Sequence, residues 1–253
     1  MTNDFEIQYD CRWSNQLDEK FVTDFIDVER QVFGSYEASS FNRKFIENIY
    51  GPSVLAVVYI NGKPSAARAL WRNDINGRKS YQPGNTCVLS VCRGKGIFSE
   101  MTRRTVNMLD KEDVIYNFPN PNSFPGYIKM GWKLVGNYNM VLLLSNKQYA
   151  KEHMIDMDEE YAAWWLKDRK NIYHIKRGNT YYLVMPHARK FCYRVISRVN
   201  DTVALKFPKF KGLGLIFYHS LRKTFYNSRF ASLHVVSKTP DIEEVPIWKI
   251  DAL

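Results

Sequence analysis

Cysteine is scarce in this chain of 253 residues: four stand scattered at Cys11, Cys87, Cys92 and Cys192, with no CxxC pair. That excludes a disulfide framework and fits a reduced, cytoplasmic setting. The five histidines fall at no metal-ligand spacing, so no metal is expected. Long apolar runs are missing too; none approaches the roughly 20 residues that cross a bilayer. The opening MTNDFEIQYD lacks the basic and apolar regions of a signal peptide. Acids are absent from Thr202 to Pro240, where Lys206, Lys209, Lys211, Arg222, Lys223, Arg229 and Lys238 stand among Phe207, Phe210, Phe217, Tyr218, Phe225, Tyr226 and Phe230.

What is present is an ordinary globular composition, rich in Tyr and Phe, with a net charge of +10. An excess of that sign points to an anionic partner: a phosphorylated small molecule, an anionic membrane surface, or nucleic acid. Phe21, Phe25, Val28 and Val32 recur at helical spacing, with Gly34 as a stop. A shorter helix is expected over 39–50, ended by Gly51. Asn61-Gly62 and Asn76-Gly77 mark turns of a three-stranded meander over 53–91. Strands are further expected at 113–118 and 133–144. The polar stretch after Lys147 reads as a boundary, giving domains 1–146 and 147–253. In the second, 159–168 reads as a helix, and a hairpin is centred on Arg177-Gly178-Asn179. KFCYRVISRVN, TVALKF, RFASLHVVS and VPIWKI read as strands.

The segment TCVLSVCRGKGIFSEMTRRTVNML, 86–109, passes from a β-type run through Arg93-Gly94-Lys95-Gly96 into a helical pattern. The first turn of a helix offers backbone N–H groups and partial positive charge. Glycine there lets an anion approach the backbone closely. Gly94 to Phe98 would supply the donors, and Arg93 and Lys95 the charge for a diphosphate. Neither the GxxxxGK[ST] phosphate loop nor a GxGxxG dinucleotide fingerprint is present.

This segment resembles the acyl-CoA motif of the GNAT acetyltransferase superfamily, (Arg/Gln)-x-x-Gly-x-(Gly/Ala), with Arg93 and Gly96 in register and Phe98 departing from the usual small final residue. NPNSFPGYIKMGW resembles a later motif of the same superfamily, with Asn120, Tyr127, Lys129, Gly131 and Trp132 in register. The resemblance covers residues 1–145. It implies an α+β GNAT fold: a mixed, mostly antiparallel sheet with flanking helices and a splayed strand pair, here 85–91 and 114–118. The second, smaller α+β domain would be a degenerate GNAT-like half that completes the acceptor cleft. EEYAAWWLKD is similar to the segment that opens such halves, with Trp164 and Trp165 as packing residues.

The implied activity is acetyl-CoA-dependent N-acetyl transfer to an amine by direct attack on the thioester. Val88, Leu89 and Ser90 would line the pantetheine arm, with an N–H near Val88 polarising the thioester carbonyl. Arg93, Gly94, Lys95, Gly96, Ile97 and Phe98 would hold the pyrophosphate. Tyr127 matches the general-acid position, and Asn120 would orient backbone or a water, or close an Asx turn. Glu37 and Asp74 are the carboxylates best placed in sequence for a base. YNFPNPNSFPGYIKMGW further resembles GNAT proteins of bacterial surface-polysaccharide synthesis, which implies a nucleotide- or lipid-linked amino sugar as acceptor. Asn85, Ser90 and Cys92 depart from that subgroup's loop, which carries Asp, Pro and Tyr there. The rivals are a protein, amino-acid or polyamine acceptor, and a non-catalytic GNAT-fold module binding nucleic acid through 202–240. Peripheral membrane contact through that stretch is a further reading.

Overall fold

The computed structural model describes residues 6–34, 38–144, 149, 155–167, 169–221, 233–239, 242 and 245–249. The chain forms two compact units. The first comprises Met1–Asn117, Lys129–Gly131 and Lys238–Pro240; the second comprises Phe118–Ile128, Trp132–Ser237 and Asp241–Leu253. The division therefore falls at Asn117, earlier than the polar stretch near 147 suggests. The strand 133–142 joins the second unit because its hydrogen bonds run to strands there.

In the first unit β1 (Ile7–Trp13), β2 (Val54–Ile60), β3 (Lys63–Arg72) and β4 (Ser80–Val88) pair antiparallel in that order, and β5 (Val114–Asn117) joins β4 in parallel. The two Asn-Gly turns behave as their chemistry demands. Asn61 and Gly62 (φ 50 and 73) and Asn76 and Gly77 (φ 53 and 70) all take the left-handed backbone of type I′ turns. Helix α1 (Glu19–Phe33) starts where the Asp18 carboxylate accepts the Phe21 N–H at 2.8 Å, and stops at Gly34 with φ 82. It buries Phe21, Phe25, Ile26, Val28 and also Glu29. Phe25 meets Phe41 and Phe45 edge-on, at ring separations of 5.6 and 6.0 Å. On the other side α3 (Ile97–Val106) packs Ile97 and Met101 among Val58, Ile60 and Ala66.

Two local expectations shift. The helix expected over 39–50 is short: α2 (Ala38–Phe41) runs into a π-helical turn, Asn42–Ile46. Asn48 then takes the chain out, bonding Lys44 O, Arg72 O and the Tyr50 N–H. The third meander strand ends at Val88 rather than 91, because residues 90–92 tighten into a 3₁₀ turn.

In the second unit the strand order is β11-β6-β10-β9-β8-β7. These are β6 (Lys133–Leu142), β7 (Tyr173–Arg177), β8 (Thr180–Pro186), β9 (Cys192–Val199), β10 (Leu215–Ser220) and β11 (Leu233–Ser237). The hairpin at Gly178-Asn179 forms as expected. TVALKF, read as a strand, is instead a helical turn, Asp201–Ala204, because Asn200 caps it by accepting the Val203 N–H at 2.8 Å. VPIWKI, also read as a strand, is a 3₁₀ turn at Ile247–Lys249, closed by Lys249 N–H on Pro246 O. The predicted helix is Glu159–Trp165, capped by Asp158.

The Phe25 cluster supports a stability prediction. Phe25→Ala removes a fully buried ring from three aromatic neighbours and should cost about 3–5 kcal/mol by urea unfolding. Phe33→Ala, at an exposed position of the same helix, should cost less than about 0.5 kcal/mol.

Candidate functional site

The site rests on a gap in the first sheet. β4 and β5 pair only at Ser80↔Val114 and Tyr81↔Ile115. Beyond Tyr81, β4 continues to Val88 without pairing to β5, which ends at Asn117. A bulge accompanies the parting: Ala67 faces Cys87 and Ala69 faces Gly84, so Asn85 and Thr86 together oppose Arg68. Asn85 takes the left-handed backbone there, φ 49, which asparagine tolerates better than most residues.

Past the bulge, the Leu89 N–H donates to Ser65 O at 3.0 Å. In an antiparallel ladder bonded and non-bonded pairs alternate. Val88, opposite Ala66, therefore directs its N–H and C=O away from β3, toward the gap. Its carbonyl accepts the Arg93 Nε at 3.1 Å. Leu89 spends its amide on the sheet and Ser90 opens the 3₁₀ turn.

The loop then reaches α3 through two left-handed glycines, Gly94 (φ 77) and Gly96 (φ 74). A Cβ on either would meet no other atom within 4 Å, so the space beside them is open. The α3 ladder begins with the Glu100 N–H on Gly96 O, at 3.0 Å. The amides ahead of it form the positive end of a ten-residue helix. Arg93 and Lys95 are exposed beside them. Ile97 is buried and anchors the helix start, while Phe98 is half-buried with the Arg68 guanidinium 5.2 Å from its ring centre. Backbone donors, exposed cations and open space beside the glycines fit a diphosphate. The unpaired edge of β4 fits an extended amide-bearing chain.

Behind the bulge lies a polar chain absent from the sequence reading. Lys44 Nζ donates to Asn85 Oδ1 at 2.6 Å, and Asn85 Nδ2 donates to Glu29 Oε1 at 2.7 Å. Glu29 is fully buried and Lys44 nearly so, its ammonium 4.7 Å from the Trp71 ring centre. The sequence held one signal for it: Glu29 lies four residues after Phe25 and one after Val28, on the apolar face of α1. Cys87 sits close by. Its thiol is pushed up to about 12 by burial, with the Glu29 charge adding to the effect, so it is no nucleophile at neutral pH.

The remaining predicted residues lie elsewhere. Asp74 is held by Arg72, with Nε and Nη2 at 3.0 and 3.1 Å, and accepts the Ser80 N–H at 3.0 Å; it ties the β3–β4 turn. Glu37 falls outside the described residues. Asn120 and Tyr127 belong to the second unit. Asn120 Oδ1 accepts the N–H groups of Asn122 and Ser123, an Asx turn that leads into α4 (Phe124–Lys129). Tyr127 is buried on α4, edge-on to Trp132 with ring centres 4.7 Å apart. No group of residues able to hold a metal occurs among the described residues.

No family model and no curated protein matches this sequence. Solved structures do match in shape. A GCN5-related N-acetyltransferase from Anabaena variabilis ATCC 29413 superposes with a TM-score of 0.57 at 11% identity, over 92% of this chain and 72% of the other. A GCN5-related N-acetyltransferase from Kribbella flavida gives 0.52 at 11% identity, over 92% and 71%. A Pyrococcus horikoshii protein provisionally assigned as an acetyltransferase gives 0.54 at 13%, over 96% and 94%. The chain has the GNAT fold.

The buried chain behind the bulge generates a prediction. Glu29→Leu removes the acid end of the buried Lys44–Asn85–Glu29 chain and should cost about 3–5 kcal/mol. Adding Lys44→Met should recover part of that loss, giving a coupling above about 1 kcal/mol in a double-mutant cycle. Strict additivity in denaturant titrations would show the two charges to be independent.

Proposed function

We propose that this protein is an acyl-CoA-dependent N-acyltransferase that uses acetyl-CoA and an amine acceptor. The observation that carries the reading is the parting of β4 from β5 directly ahead of a double-glycine loop and a helix N-terminus. In this reading the amides from Gly94 to Ile97, with Arg93 and Lys95, bind the pyrophosphate. The free edge of β4 binds the pantetheine amides, and the Val88 N–H donates to the carbonyl oxygen of the thioester. Acetyl-CoA supplies an activated acyl group, so the chain need only orient it, stabilise developing negative charge and manage two protons. Tyr127 is assigned as the donor of a proton to the departing thiolate. The proton lost by the acceptor amine leaves through water, since Asp74 is committed to Arg72 and Glu29 is enclosed.

For the acceptor we propose an amino sugar bearing phosphate, nucleotide- or lipid-linked. Two features support it: the resemblance of YNFPNPNSFPGYIKMGW to polysaccharide-associated GNAT proteins, and the basic second unit, which disfavours a cationic polyamine. Thiol release from acetyl-CoA, measured against nucleotide-linked amino sugars, polyamines, amino acids and a lysine peptide, tests the assignment. Release with none of the four classes would remove it.

Two substitutions examine the parts. Gly96→Glu places a negative side chain in the proposed phosphate cradle and should weaken acetyl-CoA binding at least about 100-fold by calorimetry. Gly96→Ala, with the same backbone strain but no charge, should stay within about tenfold. Tyr127→Phe should lower kcat about 10- to 100-fold with little change in the acetyl-CoA Kd; full activity would remove the phenol from the mechanism.

A further inference from the structure

At one end of the second unit's sheet, large apolar side chains face water inside a ring of cations. This is the end where β7, β9 and β10 begin and where β6 and β8 finish. Phe191 is 71% exposed, Leu213 89%, Leu215 55% and Leu144 80%. Their backbones are neighbours. The Leu215 N–H donates to Phe191 O at 2.8 Å, and the Leu143 N–H donates to Ile216 O at 2.8 Å, which puts Leu144 beside Leu215. Phe191 also holds φ 55, a left-handed conformation that is costly for an aromatic residue and a recognised mark of functional loops.

Charge surrounds this apolar tip. Arg189 and Lys190 precede Phe191 in the β8–β9 loop, and both are exposed. Lys209 and Lys211, also exposed, flank Phe210, whose ring packs on Tyr173 and Tyr193 at the same end. Arg169 and Lys170 lead into β7 and, with Lys167 and Lys206, line a cavity of about 480 Å³ beside it. Glu159 reaches this cluster, bonded to Lys206 at 2.7 Å. From Arg169 to Pro240 the chain carries 15 Lys and Arg against one acid, Asp201, which follows the far end of β9.

We infer that this end of the second unit docks on an anionic lipid bilayer, with Phe191, Leu213, Leu215 and Leu144 entering the interface and the cations meeting phosphate headgroups. Exposed aliphatic tips within a basic ring match the two halves of such a surface. A second copy of the chain would bring like charge against like charge. Nucleic acid would call for exposed stacking rings, whereas Tyr173, Tyr193 and Phe210 are packed against one another and three of the four exposed residues are leucines. The inference does not depend on acyl transfer.

Co-sedimentation of the full chain with vesicles of phosphatidylcholine alone, or with about one-third phosphatidylglycerol, tests it. Partitioning should be at least about tenfold stronger on the anionic vesicles and weaken with salt. Leu213→Ser with Leu215→Ser should reduce it about tenfold with an unchanged circular dichroism spectrum, and Lys209→Glu with Lys211→Glu should do so at low salt. The fluorescence of Leu213→Trp should shift to the blue on anionic vesicles. Equal partitioning onto both vesicle types, or no blue shift, would overturn the inference. So would self-association that Leu213→Ser abolishes, or tighter binding to an oligonucleotide that the Leu→Ser pair leaves unchanged.

Discussion

The bulge at Asn85–Thr86 is the constraint on which the first unit's architecture turns. One extra residue against Arg68 increases local twist and redirects a strand. β4 keeps company with β5 for two residues and then leaves it. Bulges carry strain, and here the retaining device is chemical: the Asn85 amide is held at its oxygen by Lys44 and at its nitrogen by Glu29. Charge-assisted bonds of this kind, in a buried setting, are stronger than their exposed equivalents. The same three residues explain why a helix with an otherwise apolar inner face tolerates a buried acid.

The second unit repeats the order of events in the first but not its outcome. β7, β8 and β9 form a meander, a helical turn follows, and β10 runs parallel to β9, pairing only from Leu215↔Cys192 to Phe217↔Arg194. β2, β3, β4, α3 and β5 do the same. The difference lies at the helix. Gly96 caps α3 without a side chain, so no side-chain cap bonds its N-terminal donors. Asn200 caps the Asp201–Ala204 turn with its own Oδ1 on the Val203 N–H, and that turn is four residues long. A helix start that satisfies its own donors and has almost no macrodipole is a poor anion site.

Much of this was legible beforehand, and the reasons are local. Asn-Gly turns, the Gly34 stop of α1 and the hairpin at Gly178 each follow from chemistry within four residues. The loop was legible from the Arg93-Gly94-Lys95-Gly96 run, and the gap was implied by the resemblance of that segment to the GNAT motif. TVALKF misled because β-branched and apolar residues suit a buried strand, while the deciding residue was the cap before it, Asn200. The boundary at Asn117 was hidden for another reason: β6 follows the first unit in sequence but bonds with β10 and β11, more than 70 residues on. The Lys44–Asn85–Glu29 chain joins three segments and has no sequence spacing to reveal it.

The proposed acyl-CoA site is made largely of backbone, which is compatible with wide divergence of sequence on one fold. Neighbours that superpose over 92% or more of this chain share 11–13% of its residues. The β4 edge, the Val88 amide and the first turn of α3 are supplied by main chain, which any sequence compatible with the fold provides. Side-chain identity is demanded where the backbone takes left-handed angles, at Gly94 and Gly96, and, in the proposed site, where charge would sit beside the amides, at Arg93 and Lys95. Elsewhere the sequence is free to change as long as the bulge persists, and Asn85 shows how. The polysaccharide-associated loop that this segment resembles carries an aspartate there; here an amide bridges an acid and an ammonium instead. The bend is kept while the residues that keep it differ.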